Sequence, residues 1–215
     1  MFQLSPITRL IGICADRSAI AALEFAIAAP VLMFLGLGGI EAANESITNM
    51  RLSMIAMQVA QNLARVPASI DETDVVDALK AAELSGQTMS FQTRGRLIAS
   101  SVEENETSTG QYIRWQRCIG SKIADSAYGN EGDGKTDARF VDGVGATGRK
   151  ISAPAGSAVI MVEVLYDYHP IIPWDLWNVA TLSYEAAFNV RERIAQDISN
   201  NSDLADHERN LCTAS

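Results

Sequence analysis

Histidine occurs only twice in this chain, as His169 and His207, and cysteine three times, as Cys14, Cys118 and Cys212. That scarcity removes the raw material for most side-chain catalysis. Neither histidine lies in a GxSxG or HExxH frame, and no CxxC or Cys/His cluster is present to hold zinc. His169, beside Pro170, reads as a turn residue, and His207 sits in an acidic tail. The chain is therefore not expected to be an enzyme, nor to carry a metal or cofactor. Basic residues are scarce too: 17 Lys and Arg stand against 26 Asp and Glu, a formal net charge of −9. Phosphate contacts need clustered Lys and Arg, so no nucleic acid is expected as a partner. There is no Gly or Pro between Gly39 and Pro67, and no charge from Phe25 to Ile40. These gaps abut in what reads as one long helix.

What is present is a globular composition, 47% hydrophobic and 20% charged, in 215 residues. That length suits one membrane segment and one domain. From Ala19 to Ile40 the only charge is Glu24, and about 20 apolar residues in a helix span a bilayer's hydrocarbon core. Residues 20–40 are read as a transmembrane helix. Arg9 and Arg17 precede the run and the next basic residue is Arg51. The positive flank is N-terminal, which puts the N-terminus in the cytoplasm and the rest outside. A cleaved secretory signal fits poorly, because the apolar run is too long and ends GGIEAANES, with a charge at Glu41 in the way. Cys14 fits no lipobox, since Ile13 precedes it. With Cys14 on the reducing side, Cys118 and Cys212 remain an even pair for an oxidising compartment. They are expected to form a disulfide, the alternative being two separate buried thiols.

An ionised Glu in hydrocarbon costs on the order of 2.5 kcal/mol or more unless it is paired or reaches water. Either Glu24 lies near the end of the span and snorkels, or something neutralises it. Cleavage between Ala19 and Ile20 would supply a counter-ion, because the new Ile20 ammonium would be the first residue and Glu24 the fifth. A basic leader, a small residue, four apolar or small residues and then Glu-Phe before a long apolar helix resembles the class III signal of type IV pilins and pseudopilins. The form Ala21-Ala22-Leu23-Glu24-Phe25-Ala26-Ile27 followed by Pro30 is similar to the TadE-like minor pilins of the Tad (Flp, type IVc) system. The resemblance covers residues 16–65. It departs at Ala19, where the family usually carries Gly.

That resemblance implies a cytoplasmic leader (1–19) removed by a prepilin peptidase at Ala19/Ile20, and an assembly role for Glu24 and Phe25. It implies a bacterial inner-membrane protein with a periplasmic C-terminal domain. Its partners would be other pilin or pseudopilin subunits, the Tad assembly platform and the membrane, in pilus assembly and adherence. Pro30 removes one backbone donor and is expected to kink or loosen the helix. The reading from another class is a single-pass anchored periplasmic binding or scaffolding protein that never enters a filament.

Beyond the span, residues 41–66 read as helix continuing outward, with apolar stripes at Ile47, Met50, Met54 and Met57 and at Leu52, Ile55, Val59 and Leu63. Residues 67–215 form the expected periplasmic domain. The fold class is α+β, a long transmembrane and stalk helix followed by an antiparallel sheet. Ser69 and Glu72 offer a capping box for a helix over Asp71–Leu84. Arg96–Val102 reads as a strand, Glu103–Glu106 as a polar turn, and Gln111–Ile119 as the hairpin partner with Ile113, Trp115 and Ile119 on one face. Gly120–Ser152 is Gly-rich loop. Its NEGDGKTD run does not match a calcium loop, and Gly143-x-Gly145 lacks the strand and helix of a nucleotide site. Gly156–Tyr168, apolar on both faces in its first half, predicts a central strand. Residues 182–190 alternate cleanly and predict another. His169–Trp174 separates them. Trp115, Trp174, Trp177 and the tyrosines line a groove on one reading and a core on the commoner one. Gln196–Ser215 reads as polar tail, tied down if Cys212 pairs.

Overall fold

The computed structural model describes residues 17–107, 109–172 and 181–212. The leader up to Asp16, with Arg9 and Cys14, lies outside the described residues, as do Pro173, Trp174 and Trp177. The chain divides into two compact units, Met1–Glu45 with Pro170–Trp174, and Ser46–His169 with Asp175–Ser215. The larger unit is called the head below.

Helix α1 runs unbroken over Arg17–Ala64, through Pro30. Its second half presents Thr48, Leu52, Ile55, Ala56, Val59, Ala60 and Leu63 as a buried stripe at helical spacing. Of the two candidate stripes, that of Leu52, Ile55, Val59 and Leu63 is buried, and the small Ala56 and Ala60 beside it let the helix approach its neighbour closely. Ile47, Met50 and Met54 stay exposed. The C-terminal end of α1 is closed by Arg193, whose Nη2 donates to the Leu63 carbonyl and whose Nε donates to Val66 O at 3.3 Å. A guanidinium there satisfies orphan carbonyls and faces the negative end of the helix dipole.

The expected capping box moves by two residues. Ser69 lies instead in a short strand, β1 (Ala68–Asp71). Asp71 caps helix α2 (Glu72–Gly86), accepting from Thr73 N at 3.1 Å, while the Asp74 carboxylate accepts from Asp71 N at 2.9 Å. Asp71 also accepts from Asn201 N and the Ser199 hydroxyl. The Asn201 N–H is the largest influence, outweighing the cost of burial, and with the Thr73 and Ser199 donors it holds the Asp71 carboxyl down at about 2. A depressed carboxylate contributes stability above its unfolded pKa and loses it as pH falls towards the folded value. We therefore expect Asp71→Ala to cost about 1 kcal/mol at neutral pH. Asp71→Asn should keep most of the cap yet flatten the loss of stability between about pH 4 and pH 2, read from urea midpoints of the detergent-solubilised chain.

A four-stranded antiparallel sheet has the order β3-β2-β4-β5, formed by β2 (Gly95–Glu104), β3 (Gln111–Ile119), β4 (Ala158–Asp167) and β5 (Thr181–Asn189). β4 is central, which explains its burial on both faces. One face packs Leu97, Ala99, Trp115, Ile119, Ile160, Val162 and Val164 against α1, α2 and Phe91; Phe91 opens a one-turn helix, α3 (Phe91–Arg94). Ile113 is not on that face. Ser101 pairs with Trp115 but Val102 pairs with Ile113, so Arg114 is an extra residue, and the bulge turns Ile113 to the other side. There Val102, Ile113 and Met161 meet Phe140 and Val144 of the Gly-rich segment in a second small core.

Two other expectations change. Glu103 and Glu104 belong to β2, not to a turn, and the buried Glu103 accepts from Arg114 at 3.1 Å. Burial pushes its carboxyl above the ordinary range, against the pull of Arg114. The start of the expected polar tail, Gln196–Ser199, belongs instead to a strand, β6 (Arg193–Ser199), paired in parallel with β1.

Candidate functional site

Every residue proposed from sequence for processing and assembly lies on the first half of α1. Ala19 is within the helix. Ile20, Glu24, Phe25 and Pro30 are exposed, Phe25 by 71%. Ile20 and Glu24, four apart, share a helix face. Phe25, Ile27, Val31, Leu32, Met33, Phe34 and Leu35 are likewise exposed. Among the described residues one helix is long and apolar enough to cross a membrane, and none of its most apolar stretch is buried inside the protein. Hydrophobic side chains exposed around a helix suit a lipid or helix-bundle environment.

The other site residues, Cys118 and Cys212, are joined in a disulfide that spans 94 residues. Around it the tail is laid on the head as a strap. Cys118 N donates to Asn210 O at 2.7 Å, Leu211 bridges to Arg117, and Arg209 reaches Glu72 at 2.7–2.8 Å. Glu72, fully buried, also takes both Nε and Nη2 of Arg117, at 2.9 and 2.5 Å. Arg117 points to the core face of β3, and its Nη1 reaches Glu131 at 2.9 Å. Two guanidinia thus share one buried carboxylate. Glu72, expected in a capping box, is instead the acceptor of this network, and neither Arg117 nor Arg209 is given a role by the sequence. Arg117 at every second position from Trp115 and Ile119 was the available signal.

The Gly-rich segment is structural where calcium was considered. Asp133 accepts from Asn130 N and pairs with Arg139 at 2.6 Å, and Glu131 accepts from Gln116 N at 3.0 Å. Gly134 adopts φ +84°, and a Cβ there would come within 2.4 Å of Gln111 O. Glycine is needed at this point for close approach to β3. On the same sheet face Glu163 is buried and accepts from Ser126 Oγ and, at 2.9 Å, from Ala127 N. Burial raises its carboxyl, those donors oppose the shift, and the Glu185 carboxylate directly across in β5 adds to it.

A concavity of about 470 Å³ opens beside the disulfide, lined by Arg96, Ile98, Gln116, Asn130, Glu131 and Leu211 among others. Of its two lining carboxylates, Asp125 and Glu131, the latter is already engaged by Gln116 and Arg117. His169 and His207 are exposed. No group of three or more His, Cys, Asp or Glu able to hold a metal occurs among the described residues. No protein-family model matches the chain, and neither a curated protein nor a solved structure matches it.

Proposed function

We propose that this chain is a TadE-like minor pilin or pseudopilin of a Tad-type pilus, anchored in the bacterial inner membrane with its head in the periplasm. The observation that carries the reading is the outward-facing apolar half of α1, interrupted by one carboxylate at Glu24 four residues after Ile20. The disulfide supports an oxidising compartment for the head.

The mechanism is structural. Prepilin peptidase removes the leader between Ala19 and Ile20, and the Ile20 ammonium of one subunit pairs with Glu24 of a neighbour as the apolar helices bundle. Desolvation offsets much of that attraction, so the pair sets register more than it adds stability. Phe25 packs between helices, and Pro30 leaves a helix carbonyl without its partner N–H.

Mass spectrometry of protein from sheared surface filaments should find Ile20 at the N-terminus. Glu24→Ala and Glu24→Gln should leave processing largely intact and lower incorporation into filaments at least tenfold. Intact Met1 in piliated cells, or normal incorporation of Glu24→Ala, would overturn the assignment and leave an anchored periplasmic binding or scaffolding protein.

A further inference from the structure

The apolar run ends at Glu41, and Glu41 is not in water. Its side chain is 1% exposed, and its Oε2 accepts backbone N–H groups from two successive residues, Ile171 at 3.0 Å and Ile172 at 3.1 Å. The donors come from a turn 130 residues downstream, in the connection between β4 and β5. The partners belong to the same compact unit. Twenty residue steps from Ile20 to Ile40 at 1.5 Å each give about 30 Å, the thickness of a hydrocarbon core. Glu41 therefore falls at the boundary of a membrane spanned by this helix. A carboxylate at that depth is costly unless donors saturate it, and two backbone N–H groups do so at the charge-assisted end of hydrogen-bond strength.

Helical side chains lean towards the N-terminus, so the Glu41 carboxylate holds the turn over the last turn of the apolar run, not beyond it. Burial agrees: Leu37 and Gly38, four and three residues before Glu41, are half-buried, whereas residues 31–36 are exposed. The turn in turn presents Ile171, 61% exposed, beside a helix on which Ile40 is 56% exposed. In water both isoleucines would be unfavourably placed. At the end of a membrane span the medium around them is the headgroup and upper acyl-chain layer, continuous with the lipid that covers the rest of the run.

We propose that the Pro170–Ile172 turn, clamped to α1 by Glu41, is a second membrane contact of this protein, with Ile171 inserted in the interfacial layer of the bilayer. The contact requires α1 to span a membrane; it does not depend on leader cleavage or on a filament.

The test uses the full chain carrying Cys14→Ser, reconstituted in phosphatidylethanolamine–phosphatidylglycerol vesicles. Ile171→Cys, Met33→Cys and Ile194→Cys are each labelled with an environment-sensitive fluorophore; absence of labelling in the parent reports an intact Cys118–Cys212 bridge. Ile194, 90% exposed on β6, is the aqueous control. The label at 171 should be quenched by nitroxide lipids labelled near the headgroup and shielded from iodide, the label at 33 by nitroxides deep in the chain, and the label at 194 by iodide. Adding Glu41→Ala should at least halve the lipid quenching at 171 and leave 33 unchanged. Pro170→Cys repeats the measurement should a label at 171 disturb the turn. Iodide quenching at both 170 and 171 equal to that at 194 overturns the proposal, as does shielding from lipid and iodide alike, which assigns the turn to a protein partner. Failure at 33 as well overturns the span itself, and with it the reading of α1 as an anchor.

Discussion

Glu72→Ala is expected to destabilise the head by about 3–5 kcal/mol, the cost of removing one partner from a buried ion pair. The cause is less the lost attraction than what is left behind. Arg117, 1% exposed, would keep only its bonds to Glu131 and to the Gln116 carbonyl, and its Nε and Nη2 would have no acceptor in a dry interior. Arg209→Ala should be milder by a factor of two or more, because its side chain is a quarter exposed and Glu72 would keep Arg117. Replacing Glu72 and Arg117 together by methionine should recover most of the loss, since the two charges in the dry interior are removed together, while the more exposed Arg209 keeps Asp206 and Glu131 keeps Gln116 N. Urea midpoints of the detergent-solubilised full chain, followed by tryptophan fluorescence, measure all three. A Glu72→Ala midpoint within error of the parent's, with an unchanged denaturant slope, would show that the network carries no net stability.

Removing the disulfide is expected to cost about 4–5 kcal/mol on the chain-entropy model for a loop of this length. Cys118→Ser with Cys212→Ser is the clean variant, because single substitutions leave a free thiol. The loss should not add to that of Glu72→Ala. The bridge holds the strap that delivers Arg209 to Glu72, so a chain without the bridge already has a weakened network. The combined variant should lose at least about 0.5 kcal/mol less than the sum, the signature of sites sharing partners. Strict additivity would mean that Arg209 finds Glu72 without the bridge. Limited proteolysis should also cut within residues 200–212 much faster in the bridge-free chain, as the bridge is the covalent tie that holds this tail to β3.

Both effects concern residues whose partners lie far along the chain, and that separates what could be read from sequence from what could not. The helix through residue 64, the hairpin partner Gln111–Ile119 and the central strand Ala158–Asp167 were legible because period and burial agree over whole elements. Cys118 and Cys212 were legible as a pair because both follow the long apolar run while Cys14 precedes it. Arg117 was not, since a cation at an inward-facing position makes sense only beside a carboxylate 45 residues away. Neither was Glu41, which looked like the charge that ends a span and proves to be the acceptor for a distant turn.

By itself, the sequence determined the helix, the four main strands and the single carboxylate in the apolar run. These follow from interactions within a few residues, where side-chain period dictates backbone form. Tertiary structure alone decided which helix stripe was buried, that a one-residue bulge would send Ile113 to the far face, and that β1 would pair in parallel with β6. It also made the Gly-rich segment the cover of a second core and drew the tail into a strap. Each of these choices sets loop-closure entropy against packing and hydrogen bonding between segments tens of residues apart. No local pattern records the outcome of that competition.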